Sequence, residues 1–118
     1  AIYTFTLPSI ADALVAAKYR GLKVVGLTDR SQYQKLEPQQ KIIDELKKAG
    51  IPIYTQDHSG IMHLKVLVTE KAYASGSYNW TSAATNLNDE VLEVGRDENI
   101  RTTFQKIVEE MFAKYGNN

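Results

Sequence analysis

The chain has 118 residues, and its 14 Lys+Arg balance 14 Asp+Glu, so the formal net charge is zero. This length suits one domain, and a neutral chain excludes a strongly basic nucleic-acid-binding surface; any polyanion would have to meet a local basic patch. The absence of cysteine excludes disulfide scaffolds, thiolate zinc sites and cysteine nucleophiles. No apolar run approaches about 18 residues, so we predict no membrane span within this sequence.

Strand-like and helix-like patterns alternate along the chain. The strands predicted from β-branched and apolar runs are Ala1–Thr6, Lys23–Thr28, Ile51–Thr55, Ile61–Thr69, Ala72–Ser77 and Glu90–Val94. The helices predicted from apolar residues at helical spacing are Ile10–Arg20, Pro38–Ala49, Trp80–Leu87 and Asn99–Tyr115. Ser9 is expected to cap the first helix, and the polar stretch from Asp29 to Gln40 is interpreted as a loop that leads into the second helix.

The order of these elements predicts the fold class. A strand, a helix and a strand within about 30 residues form a βαβ unit, in which the two strands pair in parallel. We therefore expect one α/β domain over residues 1–118, with a mixed, largely parallel sheet sandwiched between helices. Because the first residues already have a strand pattern, we expect the natural chain to extend upstream. A signal or anchor there would fit a periplasmic or secreted location, which the sequence itself leaves unknown.

The segment from Met62 to Trp80 carries the chemistry. Residues two apart on a strand point to the same face, so His63 and Lys65 are expected to project together, with Ser77 and Asn79 following on the next strand. Imidazole acts as a nucleophile or an acid/base near neutral pH, and Lys, Ser and Asn supply donors for phosphate oxygens. Spacing alone leaves the alternative of a structural strand histidine beside a lysine that extends to solvent.

The combined motif resembles the HxKxxxxD…GSxN signature of the phospholipase D superfamily. It runs from His63-x-Lys65 through four residues to Glu70, and then to Gly76-Ser77-x-Asn79. The opening strand–helix–strand segment, and Asn88-Asp89-Glu90 before an apolar pair, are similar to the small bacterial Nuc-type endonucleases and to their mitochondrial-surface relatives. Two features depart from the pattern: Glu70 stands where the family has Asp, and the five residues between Glu70 and Gly76 are one fewer than usual.

This resemblance implies a phospholipase D-like fold and a phosphodiesterase that uses no metal or other cofactor. His63 would attack phosphorus to form a phosphohistidine, and a second His63 would protonate the leaving oxygen and then activate water. Because the chain has one HxK motif, the resemblance implies a homodimer with the active site on its two-fold axis. Lys65, Ser77 and Asn79 would bind the nonbridging oxygens. Glu90 would hydrogen-bond the other nitrogen of His63; its alternative is an ordinary surface acid.

Three further side chains have less certain roles. Glu70 is expected to orient structure rather than touch phosphate, although the shortened spacing leaves its role open. His58 is followed by no lysine two positions later, so we expect a loop histidine, with a position on the rim of the site as the alternative. Trp80 is expected to pack under the site; the alternative is stacking on bases.

The predicted function is a nonspecific endonuclease that cleaves DNA, or RNA, as its nucleic-acid substrate. The first alternative is a phospholipase acting on a lipid phosphodiester, and the second is a catalytically idle nucleic-acid-binding module. Every polar position of the motif holds a chemically competent residue, and a neutral chain is poorly suited to nonspecific DNA binding alone. Both observations favour an enzyme over the idle module.

Overall fold

Five helices and five short strands make up residues 1–116, the part of the chain that the computed structural model describes. The last two residues of the predicted 1–118 domain lie outside that part. The helices are α1 (Pro8–Tyr19), α2 (Arg30–Lys35), α3 (Glu37–Lys48), α4 (Ser82–Asn86) and α5 (Glu98–Tyr115). The strands are β1 (Gly26–Thr28), β2 (Ile53–Thr55), β3 (Val66–Val68), β4 (Tyr73–Gly76) and β5 (Leu92–Gly95).

The strands form a parallel pair and an antiparallel three-stranded sheet, joined through the N-terminal segment. β1 pairs with β2 in parallel, and β3, β4 and β5 are antiparallel neighbours in that order. Ile2 makes a parallel bridge to Thr28 of β1 and an antiparallel bridge to Lys65, just before β3. The α/β class and the mixed sheet are thus confirmed, but antiparallel pairing has a larger share than expected.

Helices cover the two sides of this sheet unequally. α1 and α3 pack over the N-terminal segment and the β1–β2 pair, where Phe5, Ile43 and Leu46 are almost fully buried. On the opposite side, Met111, Phe112 and the buried Tyr115 of α5 pack around Leu27 and Met62. The α1–α3 layer does not extend over the antiparallel half, where Leu67, Leu92 and Val94 are 40%, 52% and 67% exposed. One half of one side of the sheet is therefore uncovered.

Several predicted boundaries were wrong near the N-terminus of the chain. Ala1–Thr6 pairs only through bridges at Ile2 and Phe5 and forms no continuous strand. α1 begins at Pro8 without a side-chain cap, because proline needs no partner for a backbone N–H in the first turn, so Ser9 is not the cap. The predicted loop after Asp29 contains α2, because the Asp29 carboxylate caps that helix by accepting from the backbone N of Gln32 at 2.9 Å.

The predicted strand Ile61–Thr69 is regular only over Val66–Val68. Its first half departs from a ladder because the backbone N of Met62 donates to the Asp29 carboxylate at 2.9 Å rather than to a neighbouring strand. The predicted helix Trp80–Leu87 shortens to α4 for a related reason. Trp80 exchanges backbone hydrogen bonds with Thr4 and Thr6, and Thr81 then caps the helix that follows.

A buried glutamine joins α3 to the N-terminal segment. Gln39 is fully buried, and its amide oxygen accepts from the backbone N of Phe5 at 2.8 Å. Its amide nitrogen donates to the carbonyl of Tyr3 at 3.2 Å and to the hydroxyl of Thr28 at 2.9 Å. Each bond satisfies a group that would otherwise be desolvated without a partner. Gln39 therefore fixes the position of the N-terminal segment relative to β1.

We expect Gln39→Met to lower the free energy of unfolding by about 3 kcal/mol, because it strands buried donors and acceptors while keeping side-chain volume. Urea denaturation followed by circular dichroism measures this. The matched control is Gln40→Met on the exposed side of the same helix, for which we expect a change within about 0.5 kcal/mol. Equal effects of the two substitutions would contradict the assigned role of Gln39.

Candidate active site

The motif segment starts from a buried carboxylate. Asp29 is fully buried at the end of β1 and accepts from Gln56 Nε2 at 2.6 Å, besides the backbone N of Met62. Gln56 Nε2 also donates to the carbonyl of Gly60 at 3.1 Å. Gln56 thus holds the chain at Gly60, and Asp29 holds it at Met62, the residue before His63. This places His63 beyond the carboxyl end of the parallel strands, at the edge where α/β sheets bind ligands.

His63 and Lys65 lie together, as the strand spacing predicted. Lys65 Nζ is 3.0 Å from Nδ1 and 3.2 Å from Nε2 of His63, and it donates to the carbonyl of His63 at 2.8 Å. The His63 side chain is exposed, whereas Lys65 is partly buried. An exposed imidazole next to a cation is accessible to an anionic ligand, and this arrangement differs from that of a histidine packed into a core.

An aromatic residue that the sequence analysis missed contacts both members of this pair. The ring of Tyr3 lies 4.6 Å from the imidazole of His63, centroid to centroid, with a 51° angle between planes. Lys65 Nζ lies 5.3 Å from the same Tyr3 centroid. In the sequence, Tyr3 stands out only as an aromatic residue in the N-terminal segment, because no periodicity relates residue 3 to residue 63.

Ser77 and Glu90 form a second pair. The Ser77 hydroxyl donates to the Glu90 carboxylate in a short hydrogen bond, and it accepts from the backbone N of Val91 at 3.0 Å. Glu90 was expected to hydrogen-bond His63, but its carboxylate accepts from Ser77 instead. The group that lies next to the ring nitrogens of His63 is the ammonium of Lys65. Glu90 is nevertheless part of the cluster, because its negative charge acts on Lys65.

The pKa of the Lys65 ammonium is lowered from its ordinary value. Partial burial is the main cause, since desolvation disfavours the charged form, and the nearby Glu90 carboxylate opposes it. The two effects are the ones expected of a lysine held inside a polar site rather than on open surface.

A close backbone approach holds Ser77 beside Glu90. Gly76 has φ +153°, and a Cβ at this position would come within 2.0 Å of the carbonyl oxygen of Val91. The backbone N of Ser77 donates to that same carbonyl at 3.0 Å. Glycine is therefore required at position 76 because β4 and the segment before β5 touch there. The glycine of the motif thus has a packing role.

Asn79 and Trp80 are anchored by the N-terminal segment. The amide oxygen of Asn79 accepts from the backbone N of Thr4 at 3.1 Å, next to Tyr3. Within residues 1–116 the amide nitrogen of Asn79 has no protein acceptor, so it can donate a hydrogen bond to an oxygen of a ligand. Trp80 stacks edge-on to the buried Phe5, with centroids 4.9 Å apart at 83°. This contact agrees with the expected packing role of Trp80 and leaves base stacking without support.

The interactions of Glu70 and His58 are with groups outside the cluster. Glu70 is in the β3–β4 turn, where Arg101 of α5 donates to the carbonyl of Thr69 at 3.1 Å. The hydrogen bond to Glu98 is the main reason that the pKa of Arg101 is raised, and the charge of Glu70 adds to it. This fits a structural role for Glu70. His58 is exposed in its loop, where Nδ1 accepts from the backbone N of Gly60 at 3.0 Å.

The cluster contains donors for an anion rather than ligands for a cation. Across residues 1–116, no group of three or more His, Asp or Glu side chains is placed to hold a metal ion. The chemistry available to the cluster is that of an imidazole, an ammonium, a hydroxyl, an amide and one carboxylate.

Residues 1–116 also include no helix that is long and apolar enough to cross a membrane.

Comparisons with known proteins agree with the motif. The family model described as "Cardiolipin synthase, PLD-like domain" matches residues 1–112. The mitochondrial cardiolipin hydrolase of Xenopus tropicalis is 32% identical over 115 residues, which cover 97% of this chain and 53% of that protein. A phospholipase D of Rickettsia conorii is 33% identical over 96 residues, covering 80% of this chain and 46% of that protein. The chain thus spans about half the length of these curated relatives.

Solved structures give the same relationship. Nuc, a phospholipase D family member from Salmonella typhimurium, superposes with a TM-score of 0.89 at 28% identity, covering 97% of this chain and 76% of that one. NucT from Helicobacter pylori superposes with a TM-score of 0.87 at 26% identity, covering 97% and 77%. The resemblance to the Nuc-type branch is confirmed by these neighbours. The chain therefore belongs to the phospholipase D superfamily of phosphodiesterases.

Proposed function

We propose that this protein is a metal-independent phosphodiesterase that cleaves DNA or RNA endonucleolytically through a covalent phosphohistidine on His63. The observation that carries the proposal is the exposed imidazole of His63 held beside the ammonium of Lys65, with the charge of Glu90 acting on Lys65 and Ser77 hydrogen-bonded to Glu90. Its similarity to Nuc and NucT supports a nucleic-acid substrate for this chain.

In the proposed reaction, a ring nitrogen of His63 forms a bond to phosphorus while the bond from phosphorus to the leaving oxygen breaks. A second histidine gives its proton to that oxygen. The same histidine then takes a proton from water as the water oxygen attacks phosphorus and the phosphorus–nitrogen bond breaks. Lys65 and the Asn79 amide would hold the nonbridging oxygens, where negative charge is spread in the transition state.

The second histidine is the partner's His63 in a homodimer. This chain has only two histidines, and the contacts of His58 are with Arg30, Gly60 and Tyr115, none of which belongs to the cluster. A support for the dimer is the uncovered apolar face, formed by Leu67, Ala74, Leu92 and Val94, which the strand register places on one side of the sheet. Lys65 precedes Leu67 by two residues and shares its side, so this face borders the cluster. A second copy placed there would bring two clusters together on a two-fold axis.

A lipid phosphodiester is the second candidate substrate, because the curated relatives include mitochondrial cardiolipin hydrolases and a phospholipase D. The cluster recognises the phosphodiester group, which nucleic acids and phospholipids share. The uncovered apolar face would serve this candidate only if it met lipid rather than a second copy. The two candidates are therefore separated by substrate and by oligomeric state.

The test of the proposed function offers plasmid DNA, single-stranded DNA, RNA and cardiolipin vesicles to the purified protein in excess EDTA. We expect nucleic-acid cleavage to persist in EDTA. His63→Asn should lower the rate about a thousandfold or more, because nucleophile and acid are lost together. His58→Asn is the matched control and should leave the rate unchanged. Activity that EDTA abolishes and Mg²⁺ restores would contradict the mechanism, and hydrolysis of the vesicles alone would select the lipid candidate.

A shared site predicts how mixed dimers behave. Wild-type and His63→Asn chains are mixed, allowed to exchange, and assayed at constant total protein. Because only dimers with two intact chains would turn over, activity should follow the square of the wild-type fraction, so an equal mixture keeps about a quarter of full activity. Independent sites would leave about half.

Two controls accompany the mixing experiment. Mass-tagged chains verify the exchange, since unexchanged dimers also give a linear dependence. Val94→Asp on the uncovered apolar face should yield an inactive monomer by light scattering, whereas Leu22→Asp, also at an exposed apolar residue, should not. A linear dependence after verified exchange would contradict the shared site.

A further inference from the structure

The conformation of His63 depends on very few contacts. Its side chain is exposed, and within residues 1–116 the hydrogen-bond and aromatic partners of its ring are Lys65 Nζ and the ring of Tyr3. Lys65 has a long, flexible side chain, and it must release the imidazole when a phosphate oxygen replaces it. The Tyr3 ring is then the contact that remains to restrict the imidazole.

Tyr3 is itself held at both ends. Its hydroxyl accepts from Gln32 Nε2 at 3.2 Å, and its carbonyl accepts from the buried Gln39 at 3.2 Å. Gln32 is fixed in turn, because its amide oxygen accepts from the Thr4 hydroxyl at 3.0 Å and its backbone N donates to the buried Asp29. The Tyr3 ring is therefore linked through Gln32 to the Asp29 carboxylate, which also holds Met62 at the start of the motif segment.

The Tyr3 ring offers two interactions that an aliphatic side chain lacks. An aromatic pair at 4.6 Å gains energy beyond burial of area and has a preferred tilt, so the ring restricts the imidazole in angle as well as in distance. The π face also attracts the Lys65 cation, whose Nζ lies 5.3 Å from the centroid. One rigid ring thus sets the positions of the imidazole and the ammonium relative to each other.

We propose that Tyr3 is a positioning residue for His63 and Lys65, an inference that rests on the proposed function. Tyr3 touches neither phosphorus nor the leaving oxygen in this scheme. Its ring holds the imidazole and the ammonium in the relative geometry that attack on phosphorus requires. Its effect should therefore fall on kcat rather than on KM, because the geometry of His63 and Lys65 matters most in the transition state, where the phosphorus–nitrogen bond forms and charge builds on the nonbridging oxygens.

The kinetic test compares variants that keep or remove the ring. Tyr3→Leu should lower kcat about tenfold with KM within about twofold, as expected for the loss of an aromatic and a cation–π contact. Tyr3→Phe keeps the ring and should retain kcat within about threefold. Tyr19→Leu is the matched control, because Tyr19 is 77% exposed on α1 and should not affect the rate. If Tyr3→Leu does not show a cooperative thermal transition, Tyr3→Met takes its place.

A second readout does not need activity. The carbon-bound ring protons of His63 feel the ring current of Tyr3 and are assigned in the NMR spectrum by their loss in His63→Asn. In Tyr3→Leu these signals should move by more than a linewidth while those of His58 stay; in Tyr3→Phe they should remain near their wild-type positions. A protein inactive on every phosphodiester would refute the proposed function, and these shifts would still decide whether the Tyr3 ring contacts His63 as the inference requires.

Four results would overturn the inference. The first is an unchanged kcat in Tyr3→Leu, and the second is an equal loss of kcat in Tyr3→Leu and Tyr3→Phe, since the ring would then not be the cause. The third is unmoved His63 signals in Tyr3→Leu. A loss confined to KM would likewise refute positioning and assign Tyr3 to substrate binding.

Discussion

The buried carboxylate of Asp29 is the interaction on which the rest of the site depends. It lies at the end of β1, caps α2 through Gln32, and receives the backbone N of Met62, so one anionic group joins three segments. A buried carboxylate is costly to desolvate, and this cost is offset only while its donors stay in place. The segment that presents His63 is therefore fixed by a group that has no part in the proposed chemistry.

This constraint explains why some of the fold could be predicted from the sequence and some could not. The βαβ order, the amphipathic α5 and the common face of His63 and Lys65 follow from local periodicity, which the sequence displays directly. The late start of β3 at Val66 does not follow from periodicity. It results from the backbone N of Met62, which donates to Asp29, 33 residues away. The helix predicted from Trp80 begins late, at Ser82, for a similar reason, because Trp80 pairs with Thr4 and Thr6.

The site shows the same division between local and distant effects. Spacing drew attention to His63 and Lys65, with Ser77 and Asn79 following them, and the resemblance to the phospholipase D signature added Glu90. Spacing could not show that Glu90 meets Ser77, because that contact depends on how closely Gly76 lets the chain before β5 approach β4. Nor could it show Tyr3, whose contact with His63 arises from the bridges that place the N-terminal segment beside β3. Side chains that act through distant backbone pairing have no periodic signal of their own.

The half-covered sheet connects the position of the cluster with its proposed assembly. Lys65 shares a side with Ile2, which α1 and α3 cover, and with Leu67, which they leave 40% exposed. The cluster therefore lies at the boundary between a covered and an uncovered half. In the proposed function, a phosphodiester at this boundary would meet donors that recognise only its phosphate, the part that nucleic acids and phospholipids have in common. Discrimination between them must then come from what covers the uncovered half. The proposed second copy would cover this apolar surface and so keep it from the acyl chains of a lipid, which favours a nucleic-acid strand as the substrate.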